Sequence, residues 1–409
     1  GGGYQTNSLR LEADNERQYT MRSIEKDPTR TVPYPMNRSR FVLDIVEDAF
    51  SASHPFSALP IPRLADAVGV YHTNPKVYFV PRQPALGCYN EDFGDALYLV
   101  EERPDDKVWS DQASFGRPYD IESTTDVVEK ITDEQDHRID LEAVVRARTF
   151  DLFLGDWDRH DDQWRWAQFD YDSVDIYRPI PRDRDQAFCN YDGFLYSIVN
   201  KSIPPARPMR PYRPYQKKIQ WSNFGPRHFD ATFLGGASWE LWENAVRHLQ
   251  QNLPDSLIEA AFREAWPQPV YQLDGPRTVR IAQQRRDHLM QMAREFYEFR
   301  ARKVDVLGTN EEDIFEVKRR PDGAVTVTVY ATSKKGNRQA PFFQRTFLAD
   351  ETKEITLYGL RDDDVFHLSG QASRGPLIRI VGGLGEETVN DESKVSGLAR
   401  KTVVYDARE

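Results

Sequence analysis

The hydrophobic pattern of the sequence changes once, near Val304, and this change limits the folds open to the chain. Before that point, long segments with apolar residues at helical spacing alternate with shorter strand-like segments. After it, short β runs such as VTVTVYA and KEITLYGL are separated by charged or Gly-rich turns. We therefore predict a boundary at Asp305–Thr309, with an α+β part before it and a β-rich domain, residues 305–409, after it.

The part before this boundary divides again near residue 102. Residues 1–102 are predicted to form a mixed α/β region, with a strand in Arg10–Lys26, a helix at Ser39–Ser51, and strands at Lys76–Val80 and Asp95–Glu101. Residues 103–304 are predicted to be mostly helical, with helices at Ile139–Gly155, Ser238–Gln251, Asp255–Ala265 and Thr278–Arg302. A two-stranded hairpin, Trp164–Phe169 and Ile176–Ile180, follows the first of these helices.

The β-rich domain is predicted to be a small sandwich or a short solenoid. Two of its segments, GLRDDDVF from Gly359 and GGLGEETVND from Gly382, share a Gly- and acid-rich turn before an apolar strand residue. They resemble degenerate calcium-binding β-roll repeats, which implies a weak calcium site. Ordinary turns with solvated acids are the simpler interpretation, because one and a half imperfect copies cannot build a calcium ladder.

The charge balance excludes some classes of partner. The chain has 54 Lys and Arg against 65 Asp and Glu, a net charge of −11, which weighs against nonspecific binding to nucleic acid or to an anionic membrane. The sequence has no apolar run long enough to cross a bilayer. Cys88 and Cys189 form no CxxC pair, so neither a zinc knuckle nor a dithiol redox site is predicted. Local arginines can still form a pocket for a small anionic ligand.

The densest set of reactive side chains lies in GDWDRHDDQW, after the helix at Ile139–Gly155, and in PRDRDQAF, after the hairpin. Carboxylate and amide oxygens suit Mg²⁺ or Mn²⁺ better than zinc. Phosphoryl transfer needs one carboxylate to accept a hydroxyl proton, further acids or amides for metal, and a cation for the phosphates. All of these residue types are present.

The roles are assigned as follows. Asp158 is the candidate base, and Asp183, Gln163 and Asp185 are candidate metal ligands. The positive partner for the phosphates is Arg22 or Lys26, oriented by a helix acid, Asp48 or Glu47. We expect His160 to orient the loop by hydrogen bonds. The alternative for Asp158 and Asp183 is a salt-bridged loop packed against Arg159, Arg182 and Arg184.

Together the two loops resemble the atypical kinases of the spore-coat CotH type. DWDRHDDQW, the hairpin and IPRDRDQAF follow that family's Asn/Asp-x-Asp-Arg-x-x-x-Asn and Asp-x-Asp-x-x-Phe motifs, and GDALYLVEERPDD resembles the strand that joins its two lobes. The resemblance covers about residues 1–300. It implies a bilobal protein-kinase-like fold and Mg- or Mn-ATP-dependent phosphoryl transfer, with a protein Ser or Thr as acceptor.

The same resemblance implies roles for particular residues. Asp158, followed by Arg159 and His160, matches the catalytic loop, Asp183 matches the metal-binding Asp, and Leu99–Glu102, with Leu99 and Glu101, matches the adenine-side connection. Gln163 stands where the family has Asn, and Arg22 stands where it has Lys, which is not equivalent at a phosphate site. These departures are typical of pseudokinases, so a scaffold without turnover is the alternative function. A metallophosphatase is rejected because its His motifs are missing.

A second resemblance concerns the whole chain. His54–Pro81 and the run ETKEITLYGL are similar to a segment of exported Gram-negative surface proteins. In those proteins the segment lies between a metallophosphatase-like domain and an outer-membrane barrel of the D15 class. This resemblance implies a periplasmic or cell-surface location and an outer-membrane or surface partner protein, and it implies no activity.

Overall fold

A computed structural model describes residues 8–25, 53–171, 173–191, 208–333, 336–396 and 401–405. The helix predicted at Ser39–Ser51, with Glu47 and Asp48, lies outside the described residues, as does Lys26. No helix in the described ranges is long and apolar enough to cross a membrane.

Up to residue 302 the described chain mixes strands and helices. The strands are β1 (Ser8–Glu12), β2 (Gln18–Ser23), β3 (Lys76–Val80), β4 (Ala96–Glu102), β5 (Asp120–Ser123), β6 (His137–Ile139), β7 (Trp164–Asp170) and β8 (Asp175–Pro181). The helices are α1 (Ile61–Val68), α2 (Asn90–Phe93), α3 (Thr124–Asp133), α4 (Leu141–Leu154), α5 (Ile219–Ser222), α6 (Arg227–Phe233), α7 (Trp239–Asn252), α8 (Asp255–Ala265), α9 (Gln268–Asp287) and α10 (Leu289–Ala301).

Two four-stranded sheets flank the predicted site. The first has the order β1-β2-β4-β3 with antiparallel pairs throughout, and Arg22 on β2 lies opposite Leu99 on β4. The second has the order β5-β7-β8-β6 and contains the predicted hairpin as β7 and β8. One face of the first sheet is covered by residues 84–93, where Phe93 packs beside Met21 and Tyr98.

The helices surround the main hydrophobic core. Trp164 and Trp166 are fully buried in it and stack against Phe229. Helix α1 lies in the predicted first region but buries Leu64 and Val68 in this helical core. The predicted divisions at residues 102 and 304 stay predictions.

One predicted helix is wrong in its bounds. The segment Thr278–Arg302 was expected to form a single helix, but the structure has α9 and α10, which meet at His288. Helix α9 also begins ten residues earlier, at Gln268, because Pro267 and Pro269 favour a helix start and Pro276 is accommodated inside the helix. Helices α4, α7 and α8 agree with prediction to within about two residues.

All elements described after Ala301 are strands. They are β9 (Lys303–Leu307), β10 (Asp313–Arg319), β11 (Val325–Thr332), β12 (Arg338–Phe347), β13 (Glu354–Arg361), β14 (Val365–Ala372), β15 (Leu377–Leu384), β16 (Thr388–Asp391), β17 (Lys394–Val395) and β18 (Thr402–Tyr405). Strands β9, β13, β15 and β18 stack parallel in one sheet, and β10, β14 and β16 stack parallel in another.

This parallel stacking is that of a short solenoid, in which each rung contributes one strand to each sheet. An antiparallel hairpin, β11 and β12, extends the second sheet between the first and second rungs. The two sheets enclose their own core, which includes Phe315, Phe366 and Ile380. Two hydrogen bonds join this region to the helical part: the Gln135 side-chain amide donates to Asp313 Oδ1, and Arg345 Nη1 donates to the Gly235 carbonyl.

Candidate functional site

The loop that carries Asp158, residues 155–163, is defined by the elements on either side of it. Helix α4 begins at the cap Asp140, whose carboxylate accepts the Ala143 N–H at 3.0 Å. The helix ends at Gly155, which has φ +68°. A Cβ at Gly155 would lie 2.8 Å from the ring of Tyr212, so glycine is required there. We call residues 155–163 the Asp158 loop.

The loop that carries Asp183, residues 182–187, lies directly beside the Asp158 loop. The β7–β8 register pairs Trp164 with Pro181, so the end of one loop meets the start of the other. The Arg182 N–H donates to the Gln163 carbonyl at 3.0 Å. Asp158 is half-buried in its loop and His160 is exposed. We call residues 182–187 the Asp183 loop.

Arg22 joins the first sheet to the Asp183 loop. Its Nη1 lies 2.9 Å from Glu101 Oε2, and its Nη2 lies 2.9 Å from Asp183 Oδ2. The Asp183 N–H donates to Glu101 Oε1 at 3.0 Å, and the Thr73 hydroxyl donates to the same oxygen at 2.5 Å. Arg22, Glu101 and Asp183 therefore form one connected set, which we call the Arg22 triad.

The backbone at Asp183 is left-handed, with φ +57°. A non-glycine residue pays about 1–2 kcal/mol for this conformation, although Asp tolerates it better than most. The hydrogen bond to Glu101 and the ion pair to Arg22 hold the residue in place. The strain therefore lies at the residue that the sequence predicts to hold metal.

The triad alters the titration of its members. Burial raises the pKa of Asp183 to about 6, with further increases from Asp185 and Glu101, while Arg22 acts in the opposite direction. Burial disfavours the charge of Arg22, but the nearby carboxylates of Asp183, Glu101 and Asp185 outweigh it and raise the pKa of Arg22. Asp185 is therefore close enough to act on both residues.

A buried set of charges lies beneath both loops. It consists of three arginines and three aspartates with at most 5% exposure: Arg148, Asp151, Asp156, Arg159, Arg184 and Asp230. Arg148 contacts Asp230 at 2.8 Å and Asp151 at 2.5 Å, and Arg184 contacts Asp151 as well as Asp156, the latter at 3.1 Å. The six formal charges sum to zero, which makes their burial possible. We call this set the buried charge cluster.

Within this cluster the pKa of Asp156 is raised to about 7, because burial disfavours its charge more strongly than Arg159 and Arg184 favour it. Asp156 Oδ1 has no hydrogen-bond partner among the described residues. Asp151 shows the opposite result: burial again opposes its charge, but Arg184, Arg159 and Arg148 outweigh it and lower its pKa.

Arg159 does not fit the prediction that it belongs to the catalytic residues. Its side chain is completely buried, stacks over the Trp164 ring at 4.6 Å, and donates to the carbonyls of Arg182 and Gln163 at 2.7 and 3.1 Å. A substrate cannot touch it there. Arg159 is instead a positioning residue that ties the two loops together.

Gln163 and His160 contact each other, with 3.2 Å between Gln163 Nε2 and His160 Nε2. The expected orienting role of His160 stays a prediction. Gln163 is only 7% exposed, and its buried Oε1 has no hydrogen-bond partner among the described residues. An amide oxygen of this kind belongs to the donor types that Mg²⁺ or Mn²⁺ prefers.

A different group of side chains has the spacing of metal ligands. In the described part of the chain, only Glu134, Asp136 and His137 form a group of three His, Cys, Asp or Glu side chains with ligand atoms within 4.8 Å. This group lies between α3 and β6, and its two acids are exposed. The predicted metal ligation by Asp183, Asp185 and Gln163 therefore stays a prediction.

The adenine-side residues fall into two kinds. Leu99 faces the same side of the sheet as Arg22 and Val77, its neighbours on adjacent strands, and it is half-buried. Both oxygens of the Glu101 carboxylate accept hydrogen bonds, from Arg22, Thr73 and the Asp183 N–H. The side chain therefore supports the Arg22 triad and does not contact an adenine ring.

Several supporting residues were not found from the sequence. Thr73 has no motif around it, and Asp151 and Arg148 look like ordinary helix charges. The acid partner of Arg22 was expected on the helix at Ser39–Ser51, but among the described residues its partners are Glu101 and Asp183.

A pocket next to Glu101 is lined by apolar and polar side chains, including His72, Thr73, Phe150, Pro181 and Arg184.

Comparisons with known proteins give a limited result. No protein-family model matches the chain, and no curated protein matches it. A solved structure described as a proinflammatory kinase CtkA of Helicobacter pylori is similar, with 8% identity, 71% of this chain and 94% of that chain covered, and a TM-score of 0.32. A Shewanella oneidensis MR-1 complex of the toxin–antitoxin proteins HipA and HipB with operator DNA has 10% identity, covers 72% of this chain and 64% of that chain, and has a TM-score of 0.28. At these TM-scores, function must be inferred from the site itself.

Proposed function

We propose that this protein is a Mg²⁺- or Mn²⁺-ATP-dependent phosphotransferase with a bilobal, protein-kinase-like arrangement. The observation that carries the proposal is the Arg22 triad: a strand arginine and a carboxylate from the loop after the β7–β8 hairpin meet at 2.9 Å. The Asp158 loop lies directly beside this ion pair, joined through the Gln163 carbonyl. A cation and a candidate metal-binding carboxylate are thus in contact, and the loop that carries the candidate base adjoins the loop of Asp183.

Each residue has a distinct task in this proposal. The Arg22 guanidinium binds phosphate oxygens, and the carboxylate of Asp183 and the free amide oxygen of Gln163 would hold the divalent cation, with Asp185 nearby. When bound, the cation neutralises charge on the phosphates. The apolar side chains of Leu99 and Val77, on the same sheet face as Arg22, would contact the base.

The Asp158 carboxylate accepts the proton of an acceptor hydroxyl, most simply that of a protein Ser or Thr. The hydroxyl oxygen then forms a bond to the terminal phosphorus while the bond from that phosphorus to its bridging oxygen breaks. ADP leaves with the electron pair of the broken bond. Arg159 and Arg184 contribute by holding the two loops in register, since neither is exposed enough to reach a substrate.

The first experiment is a thermal-shift titration of ATP with Mg²⁺ and with Mn²⁺. We expect a metal-dependent rise in melting temperature that is lost in Asp183→Asn. Asp162→Asn, which changes an exposed acid of the neighbouring loop, should keep the rise. Transfer of labelled terminal phosphate to dephosphorylated casein or to the chain itself then tests turnover, and Asp158→Asn should abolish it. Absence of any shift at millimolar nucleotide would contradict the proposal.

A second candidate is a kinase-shaped scaffold that binds a protein partner without turnover. The ion pair between Arg22 and Asp183 favours it, because this contact occupies one oxygen of the carboxylate that would hold metal. A scaffold would show no phosphoryl transfer and no effect of Asp158→Asn on partner binding. An exported location with an outer-membrane or surface partner stays a prediction for either function.

A further inference from the structure

Three successive rungs of the β-strand region share one corner sequence. Each corner begins with Gly and ends five residues later with an acid: GTNEED (Gly308–Asp313), GLRDDD (Gly359–Asp364) and GGLGEE (Gly382–Glu387). The strands on both sides of the corners pair in register. Before the glycines, the aligned residues are Leu307, Tyr358 and Val381. After the acids, the aligned residues are Ile314, Val365 and Thr388. The three acids therefore stack in a line, which we call the acid column.

Each acid of the column folds back onto the glycine of its own corner. A Cβ at Gly308 would lie 2.7 Å from Asp313 Oδ2, and one at Gly382 would lie 2.7 Å from Glu387 Oε2. A Cβ at Gly359 would overlap Asp364 Oδ2. The glycines are thus the reason that carboxylates can enter these corners.

The first acid of the column is fully satisfied by the protein. Asp313 Oδ2 accepts the Thr309 N–H at 2.5 Å and the Thr309 hydroxyl at 3.1 Å. Its Oδ1 accepts the side-chain amide of Gln135 at 2.8 Å, across the contact with the helical part. Both carboxylate oxygens of Asp313 thus accept hydrogen bonds from uncharged donors, so this corner does not require a cation.

The second acid lacks such donors. Asp364 is completely buried, and its Oδ1 accepts only the Asp313 N–H, at 2.9 Å. Its Oδ2 is buried without a hydrogen-bond partner, and no Lys, Arg or His of the described residues forms an ion pair with it. Burial raises the pKa of Asp364 to about 8, with further increases from Asp313, Glu387 and Asp362. A carboxylate in this position needs a positive partner.

Asp364 Oδ2 lies beside a backbone carbonyl oxygen. A Cβ at Gly359 would meet the Gly382 carbonyl at 2.5 Å as well as Asp364 Oδ2, so these two oxygens converge above the same glycine. The next acid along the column is Glu387, and the outer turns carry the exposed acids Asp363 and Glu386. Carboxylate and carbonyl oxygens without nitrogen or sulfur are the donors that a hard cation such as Ca²⁺ prefers.

We propose that the second and third corners of the acid column form a Ca²⁺ site, in which Asp364 Oδ2 is the principal ligand and the carboxylate of Glu387 and the carbonyl of Gly382 are its neighbours. The site stabilises the stacking of the second and third rungs. It is independent of the nucleotide site, because Asp364 belongs to the β-strand region and makes no contact with the Arg22 triad.

The test is a thermal-shift titration of the whole chain with CaCl₂ at pH 8, starting from chelator-treated protein. We expect a rise in melting temperature of about 3 °C or more that EDTA reverses. Asp364→Asn should lose this rise. Asp363→Asn, which changes an exposed acid of the same turn, should keep it, and so should Asp183→Asn, which affects only the proposed nucleotide site.

The competing explanation is that Asp364 is protonated, and the same measurement distinguishes it from Ca²⁺ binding. If the wild type does not respond to Ca²⁺ at pH 8 but melts at a higher temperature at pH 6, Asp364 holds a proton instead of a cation, and the proposal is overturned. Should Asp364→Asn not fold, terbium luminescence of the wild type decides the matter. Saturable binding that excess Ca²⁺ displaces and Glu387→Gln weakens supports the site, and no saturable binding rejects it.

Discussion

The guanidinium of Arg184 lies 3.1 Å from Asp156, with Nη1 facing Oδ2, and this contact couples the Asp183 loop to the Asp158 loop. The same Nη1 contacts Asp151 on helix α4. Arg184 lies between Asp183 and Asp185 in the sequence, which are the candidate metal ligands. Its contacts fix the Asp183 loop to helix α4, and the Asp158 loop follows directly after that helix. The geometry of the candidate site depends on this buried contact.

Replacing Arg184 by Met should therefore destabilise the protein strongly. The change leaves Asp151 and Asp156 buried with less compensation, and loss of one partner from a buried ion pair typically costs about 3–5 kcal/mol. Urea unfolding measures this as a lower free energy of unfolding. Arg247→Met, at an exposed pair on α7, should change it by less than about 0.5 kcal/mol. Equal effects of the two changes would show that the cluster is not essential.

Replacing Arg22 by Met should remove Mg-ATP stabilisation. The variant loses the group assigned to the phosphates and leaves Asp183 without its ion pair. Because Arg22 lowers the pKa of Asp183, that pKa should rise above its present value of about 6, which weakens metal binding near neutral pH. Thermal shift with Mg-ATP at pH 6.5 and pH 8 measures both effects. Arg10→Met, on exposed strand β1, is the matched control and should behave as wild type.

The outline of the site could be predicted from the sequence, whereas its contacts could not. The hairpin was predicted from two strand-like runs, and a hairpin brings the loops at its two open ends close together, as the β7–β8 register shows. The pairing of Arg22 with Glu101 could not be predicted, because 79 residues separate them and only the β2–β4 register brings them together. The sequence offered Arg184 as a salt-bridge partner, but its burial could not be read from Asp/Arg alternation.

The acid column illustrates the same limit. The corners at Gly359 and Gly382 are 23 residues apart, and their similarity is visible in the sequence. The corner at Gly308 is 51 residues before Gly359, because the β11–β12 hairpin lies between them. An insertion of this length hides the first copy of the repeat.

The stability of the protein should fall as pH rises from about 4 to about 7, and Asp156 should contribute part of this fall. Its pKa is about 7 in the folded protein against an ordinary 3.8, so the folded state holds a proton that the unfolded state releases. The contribution of this group is fully present below pH 4 and is lost by pH 7, with a slope of at most about 1.4 kcal/mol per pH unit. Urea unfolding across this range measures the slope. Asp156→Asn should make the slope shallower, with the remainder supplied by Asp183 and Asp364, whose pKa values are also raised. Asp162→Asn, at an exposed position, should leave the slope unchanged.

Asp158→Asn should abolish phosphoryl transfer and leave folding and nucleotide binding nearly intact. Asp158 is half-buried on a loop and does not belong to the buried charge cluster, whereas the proposed chemistry needs its carboxylate. Labelled phosphate transfer and the Mg-ATP thermal shift separate the two effects. Asp161→Asn changes an exposed acid of the same loop and should retain activity. Undiminished transfer in Asp158→Asn would reject Asp158 as the base.

Gly359→Ala should destabilise the β-strand region. The new Cβ would overlap Asp364 Oδ2 and lie 2.5 Å from the backbone carbonyl of Gly382, and neither can retreat because both are inside the stacked rungs. Overpacking of this kind costs about 1–3 kcal/mol. Urea unfolding measures the loss, and His367→Ala, at an exposed position on the adjacent strand β14, is the control. Stability equal to wild type would mean that the corner can open, in which case the acid column is not held by the rigid stacking of its glycines.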